Sequence, residues 1–206
     1  MSDWLPVLGI LAGVINIASA IPYFYSVHKG ITKPERASNL IWFVTTMIIF
    51  VTNLAEGAEE SMWFLVGDVI VVTMMLIYSV WRGYRWVHGR DVPGLVLASI
   101  GIILWMITGD PLIALLLSIF VDAIAAVLVL IKSYEAPKTE NLLSWEMYLL
   151  ASILATISVG KINFELLVYP VYSVIMSLAI CFVIIFRNNK KLGVTKKGKQ
   201  SKNATS

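Results

Sequence analysis

Apolar residues fall into seven long runs, near 4–27, 38–55, 62–81, 92–108, 111–131, 142–159 and 165–186, with short polar segments between them. A helix crossing a bilayer needs roughly 17–25 mostly apolar residues, and each run meets or nearly meets that length. The pattern predicts an all-α integral membrane fold with seven transmembrane helices. Little chain remains for a soluble domain. Composition agrees: 58% of residues are hydrophobic and the mean hydropathy is +0.81, against about 45–50% apolar in soluble domains. The first run has neither a basic leader nor a small-residue cleavage site, so it reads as a retained helix. The single cysteine, Cys181, lies inside the last run and reads as a packing residue.

Charge orients the runs. Fifteen of the 16 basic residues lie in alternate loops or in the tail: Lys29, Lys33 and Arg36; Arg82, Arg85 and Arg90; Lys132 and Lys138; and seven from Arg187 to Lys202. Lys161 is the exception, and the other side carries Asp3, Glu56, Glu59, Glu60, Asp110 and Glu165. The positive-inside rule then puts the N-terminus outside and the C-terminus in the cytoplasm. The tail from residue 188 to 206 is basic and lacks apolar periodicity. It is expected to be disordered and drawn to anionic lipid.

The chain also repeats. Shifted by 103 positions, Ala20, Ile21, Lys29, Pro34, Trp42 and Gly57 meet Ala123, Ile124, Lys132, Pro137, Trp145 and Gly160. The frame Pro-x7-Trp-x14-Gly is the informative part, because these uncommon residues have positional meaning. The shift spans four runs, so both copies share one orientation. This divides the chain into a three-helix repeat (1–82), a cytoplasmic loop with connector helix (83–110), a second repeat (111–187) and the tail. Parallel repeats of this kind bind solutes between their halves. Trp42 and Trp145 read first as interfacial anchors.

Ionisable and polar residues inside the runs are the candidate chemistry. Asp122 lies about 16 Å into its run and Asp68 about 9 Å, at 1.5 Å per residue. Membrane acids face a bundle interior or a wet cavity, and are functional candidates by default. Ser19 is the repeat partner of Asp122. With Asn16, Tyr169 and Asn53 these residues make the candidate substrate site, and Pro22 and Pro170 are candidate hinges. Interhelical hydrogen bonding is the alternative role for each. Thr45, Thr46 and Thr52 supply further polar groups, and Tyr172 and Ser173 add polar edges. Glu146, one turn into run six, can reach interfacial water. His28 and His88 have no companion at metal-ligand spacing, so neither metal nor cofactor is expected. The last run holds no lysine for a retinal Schiff base.

The 3+1+3 plan, the outside N-terminus and Ile21-Pro22-Tyr23 before a basic loop resemble the SWEET and PQ-loop group of transporters, with its SemiSWEET and PnuC-type members. The resemblance implies a carrier of small solutes. The defining Pro-Gln pair is Pro22-Tyr23 in the first half and Ala125-Ala126 in the second. The group's sugar-pocket tryptophan would fall near Asn53 and Thr156, and its third-helix asparagine near Asp68 and near Pro170 or Val171. The resemblance thus reaches the fold further than the substrate.

The expected function is a small-solute transporter working by alternating access, with Asp68 or Asp122 binding a cation, a proton or an amine, which allows proton or cation coupling. The expected partners are the bilayer, a small molecule and anionic lipid, with no nucleic acid. A non-transporting receptor or assembly factor on the same fold is the alternative, and an ion channel a weaker one. No run combines a nucleophile, a base and metal ligands, so an enzyme is not expected.

Overall fold

The computed structural model describes residues 4–32, 34, 36–82, 92–108 and 110–203. Every element in them is helical: α1 (Leu5–His28), α2 (Arg36–Ala55), α3 (Met62–Arg82), α4 (Val92–Thr108), α5 (Pro111–Glu135), α6 (Leu142–Ser158) and α7 (Phe164–Asn203), with a 3-10 turn at Pro137–Thr139 before α6. The expected loop 83–91, with Arg85, His88 and Arg90, lies outside the described residues, as do Asp3 and Lys33.

Five segments are long and apolar enough to cross a membrane: Leu5–His28, Ser38–Ala55, Met62–Trp81, Leu112–Glu135 and Phe164–Asn189. Between 33% and 44% of each is buried, so most of each apolar surface faces outward. In water such a surface would be prohibitive; against lipid tails it is neutral. The chain is an integral, multi-pass membrane protein.

Local chemistry sets the helix ends. Asp110 caps α5, its Oδ1 accepting from the Leu112 and Ile113 amides at 2.8 and 3.3 Å, with Pro111 pre-set at the first helical position. Asn141 caps α6 by accepting from the Ser144 amide at 3.0 Å. Its Nδ2 also donates to the Pro22 carbonyl at 3.0 Å, tying the start of α6 to α1. Gly57 and Gly160 follow α2 and α6 with φ of +72° and +66°. Their amides turn back onto the carbonyls of Leu54 and Ile157. A left-handed residue at this position is what closes a helix end, and glycine adopts it without strain.

Packing follows small residues. In the first triplet α3 packs against both α1 and α2, and in the later one α7 packs against both α5 and α6. Among the described residues α1 does not pack on α2, nor α5 on α6. Across the triplets α1 lies on α6 and α2 on α5, while α4 leans on α5 and α2. Ala12 of α1 is buried with Ala151 and Ala155 of α6, so these helices meet through methyl groups and approach closely. Gly9 and Gly13 bring α1 onto α3: a Cβ at either would collide with the backbone carbonyl of Glu60 or Trp63. This small-residue pair, four apart, is a contact motif that the sequence analysis passes over.

The candidate hinges Pro22 and Pro170 lie inside helices that continue through them, and α3 runs unbroken through Gly67. A Cβ on Gly67 would lie 2.9 Å from the Gly13 carbonyl oxygen, so this glycine serves close helix approach. The tail, expected to be disordered, carries α7 on to Asn203. Its lysines lie near the C-terminal end of that helix, where positive charge complements the helix dipole.

Candidate functional site

The half of the bundle away from the basic loops is filled. Phe64, Leu65, Ile49, Leu115 and Tyr169 are buried together there. The Phe64 ring packs on Tyr148 and Tyr169, with centroids 5.7 and 6.3 Å apart. One turn further in from Phe64 the packing opens into a cavity of about 150 Å³. Its lining runs from Asp68 and Tyr169 to Pro34, Lys132 and Glu140 at the ends bearing the basic loops.

Both intramembrane acids line this cavity. Asp68 on α3 is buried, and its Oδ1 accepts from Asn16 Nδ2 of α1 at 2.8 Å. Its Oδ2 accepts from the Tyr169 hydroxyl of α7 at 2.8 Å. Asn16 also donates to the Phe64 carbonyl at 3.2 Å, so one amide links α1 to two levels of α3. Asp122 on α5 accepts from the Tyr172 hydroxyl at 2.6 Å and from Thr45 Oγ1 of α2 at 3.3 Å. Tyr169 and Tyr172 are one turn apart on α7 with ring centroids 6.2 Å apart, so adjacent rungs of one helix hold the two carboxylates. Two tyrosine hydroxyls, an amide and a threonine hydroxyl donate to the acids, and all four donors are neutral.

At the loop end, Lys132 Nζ lies 2.9 Å from Glu140 Oε1. Glu140 Oε2 also accepts from Trp145 Nε1 at 3.3 Å. This charged pair closes on itself beside the mouth.

The candidates from the sequence thus separate. Asp68, Asp122, Ser19 and Tyr169 come together around the cavity. Asn16 stands behind it, positioning Asp68. Asn53 is elsewhere: it is buried, its Nδ2 donates to the Ile49 carbonyl at 2.9 Å, and it lines a separate small void beside Pro170. It is one helical turn from its acceptor, so a local bond satisfies it. Trp42 and Trp145, expected as interfacial anchors, are half-buried in the cavity wall. Tyr148, Asn39 and Ser144 also line it, and the sequence analysis names none of them. Helical spacing carries the missing signal. Asn39, Trp42 and Thr46 form one stripe on α2, and Trp145 and Tyr148 share a face of α6. Glu146 is exposed and outside the site. Cys181 is buried, as expected.

Among the described residues no cluster of three or more His, Cys, Asp or Glu could hold a metal ion. The lining carries hydrogen-bonding groups, carboxylates and aromatic faces suited to gripping a small solute. Compared with known proteins, the chain matches no family model, no curated protein and no solved structure.

Proposed function

We propose that the protein is a small-solute carrier working by alternating access between two three-helix bundles, residues 1–82 and 111–187, joined through α4. The observation that carries this reading is the cavity: it holds both membrane acids, opens toward the basic loops and is shut by Phe64 at the other end. A site shut at one end and lined out to the loops at the other is what one state of an alternating-access carrier requires.

The packing supports two equivalent bundles. The third helix of each triplet contacts the first two, α1 on α6 mirrors α5 on α2, and Gly57 and Gly160 end equivalent helices in one conformation. A shift of 103 positions makes the ends of α2 and α6 coincide and brings the start of α3 within one residue of that of α7. In this reading all seven helices cross. The 17-residue α4 and α6, about 26 Å long at 1.5 Å per residue, cross with little tilt. The N-terminus is outside and the basic C-terminal end lies at the anionic inner leaflet. Pro22 and Pro170 absorb the rocking of the halves. A carrier of the SWEET and PQ-loop kind fits this plan, with Asp68 and Asp122 binding a coupling cation or the solute itself.

Uptake into proteoliposomes tests the reading. The full chain is expected to accumulate at least one solute from a panel of sugars, amines, nucleosides and amino acids above protein-free vesicles. A chain ending at residue 187 is expected to keep that uptake, because among the described residues no tail residue lines the cavity. No uptake of any solute, with a binding partner lost on truncation, would favour the receptor alternative.

A further inference from the structure

We infer that the cavity takes a small organic ammonium ion bearing a hydrogen-bond acceptor. The carboxylates of Asp68 and Asp122 receive the cation between aromatic faces, and Asn39 and Ser144 receive the acceptor. This deepens the carrier reading and rests on it.

The first ground is charge. Among the described residues, four charged ones line the cavity: Asp68, Asp122, Lys132 and Glu140. Lys132 and Glu140 form an ion pair at 2.9 Å, which leaves the two aspartates. Their hydrogen bonds come from Asn16, Tyr169, Tyr172 and Thr45, none of which carries charge. A cationic solute supplies what no described residue does: a positive group at membrane depth for two acids.

The second ground is the wall. Trp42, Trp145, Tyr148, Tyr169 and Tyr172 line the same space. Trp145 and Tyr148 meet edge-on, with centroids 6.2 Å apart and planes at 86°, so the two ring planes face different directions. Aromatic faces attract ammonium ions, most strongly where water is excluded.

The third ground is unmet hydrogen bonding. Asn39 Nδ2 and Ser144 Oγ are buried and have no hydrogen-bond partner, yet both residues line the cavity. Asn39 is 3% exposed and Ser144 9%. Buried polar groups in proteins are almost always paired. An amide N–H with no acceptor calls for one on the ligand. Asn39 lies one turn from Trp42, and Ser144 adjoins Trp145, so both sit beside the aromatic wall. A hydroxyl or carbonyl on the ammonium compound would supply that acceptor. The volume of about 150 Å³ accommodates a molecule of roughly benzene's size, which favours amino alcohols and small amino acids over nucleosides and disaccharides.

Equilibrium binding to the full-length protein in lipid nanodiscs tests the proposal. The probes are choline, ethanolamine, tetramethylammonium and 3,3-dimethyl-1-butanol, the last being the uncharged isostere of choline. Choline or ethanolamine is expected to bind at least tenfold more tightly than the isostere. Asp122→Asn is expected to weaken that binding tenfold or more. Asn39→Leu is expected to weaken choline several-fold and leave tetramethylammonium, which has no acceptor, unchanged. Equal binding of choline and its isostere, or no binding of any ammonium probe, overturns the proposal, and the wild-type comparison decides this even if a variant fails to fold. Should vesicles accumulate a neutral or anionic solute while no ammonium ion binds, the cation site falls and the carrier reading stands. Charge-dependent binding without uptake of any solute gives the reverse.

Discussion

Asp122→Asn is expected to lower solute uptake at least tenfold while the protein folds normally. The asparagine keeps the size of the side chain. Its Oδ1 can still accept from the Tyr172 hydroxyl, now 2.6 Å from the carboxylate, or from Thr45. The negative charge is lost, and the second oxygen becomes an NH2 group, which can donate to the hydroxyl left facing it. A tenfold loss corresponds to about 1.4 kcal/mol, less than the roughly 1.5–3 kcal/mol that one hydrogen bond to a charged group contributes. Asp68→Asn is a less clean probe, because keeping the bond from Asn16 turns the new NH2 toward the Tyr169 hydroxyl, which now donates to the carboxylate and would have to accept instead. Paired measurements of initial uptake rate and thermal unfolding in detergent check this. A variant with normal uptake would remove Asp122 from the site. A variant that loses uptake only in proportion to folded protein would make Asp122 a structural residue.

Gly13→Leu is expected to have the largest effect on stability. A Cβ at position 13 would overlap the Trp63 carbonyl oxygen, which is backbone and cannot rotate aside. Overpacking in well-filled interiors costs about 1–3 kcal/mol, and a clash against two helix backbones belongs at the upper end. Separating α1 from α3 would also draw Asn16 away from Asp68, so uptake should fall in the molecules that still fold. Val14→Leu, at a neighbouring position with its side chain 57% exposed toward lipid, is expected to be neutral. The fraction of monodisperse protein after extraction, with unfolding titrations, checks both variants. Equal stability of Gly13→Leu and Val14→Leu would contradict the close approach of the two helices.

The helices were legible, five of them long and apolar enough to cross a membrane, because lipid imposes a crude rule on long stretches of chain: about twenty apolar residues, then a loop. Each of the seven apolar runs overlaps a helix. The acids were legible for a related reason, since a carboxylate such as Asp122 deep in an apolar run needs partners, and the structure supplies Tyr172 and Thr45. Tryptophan was harder. Trp42 and Trp145 lie near helix ends, where an interfacial ring and a cavity ring look alike in sequence. Only the facing helix distinguishes them. Asn53 shows the opposite failure: an intramembrane amide looks functional until its bond to the Ile49 carbonyl, one turn away, is seen. Gly9 and Gly13 were readable as a close-packing pair, but their partner, the backbone at Glu60 and Trp63, was not, because pairing between helices is not written in the periodicity of either.

Alternating access makes one demand that a fixed receptor does not: a residue in the cavity must meet water from both sides of the membrane. Cys181 is the only cysteine, so Cys181→Ala provides a background in which Ser19→Cys is the single thiol. Ser19 lines the cavity, and its hydroxyl bonds only the Asn16 carbonyl one turn back, at 2.6 Å, so the exchange disturbs little. A membrane-impermeant maleimide applied to right-side-out and to inside-out vesicles is expected to label this thiol from either face, and a transported solute is expected to slow both reactions. Labelling confined to one face, with and without solute, would contradict the carrier mechanism.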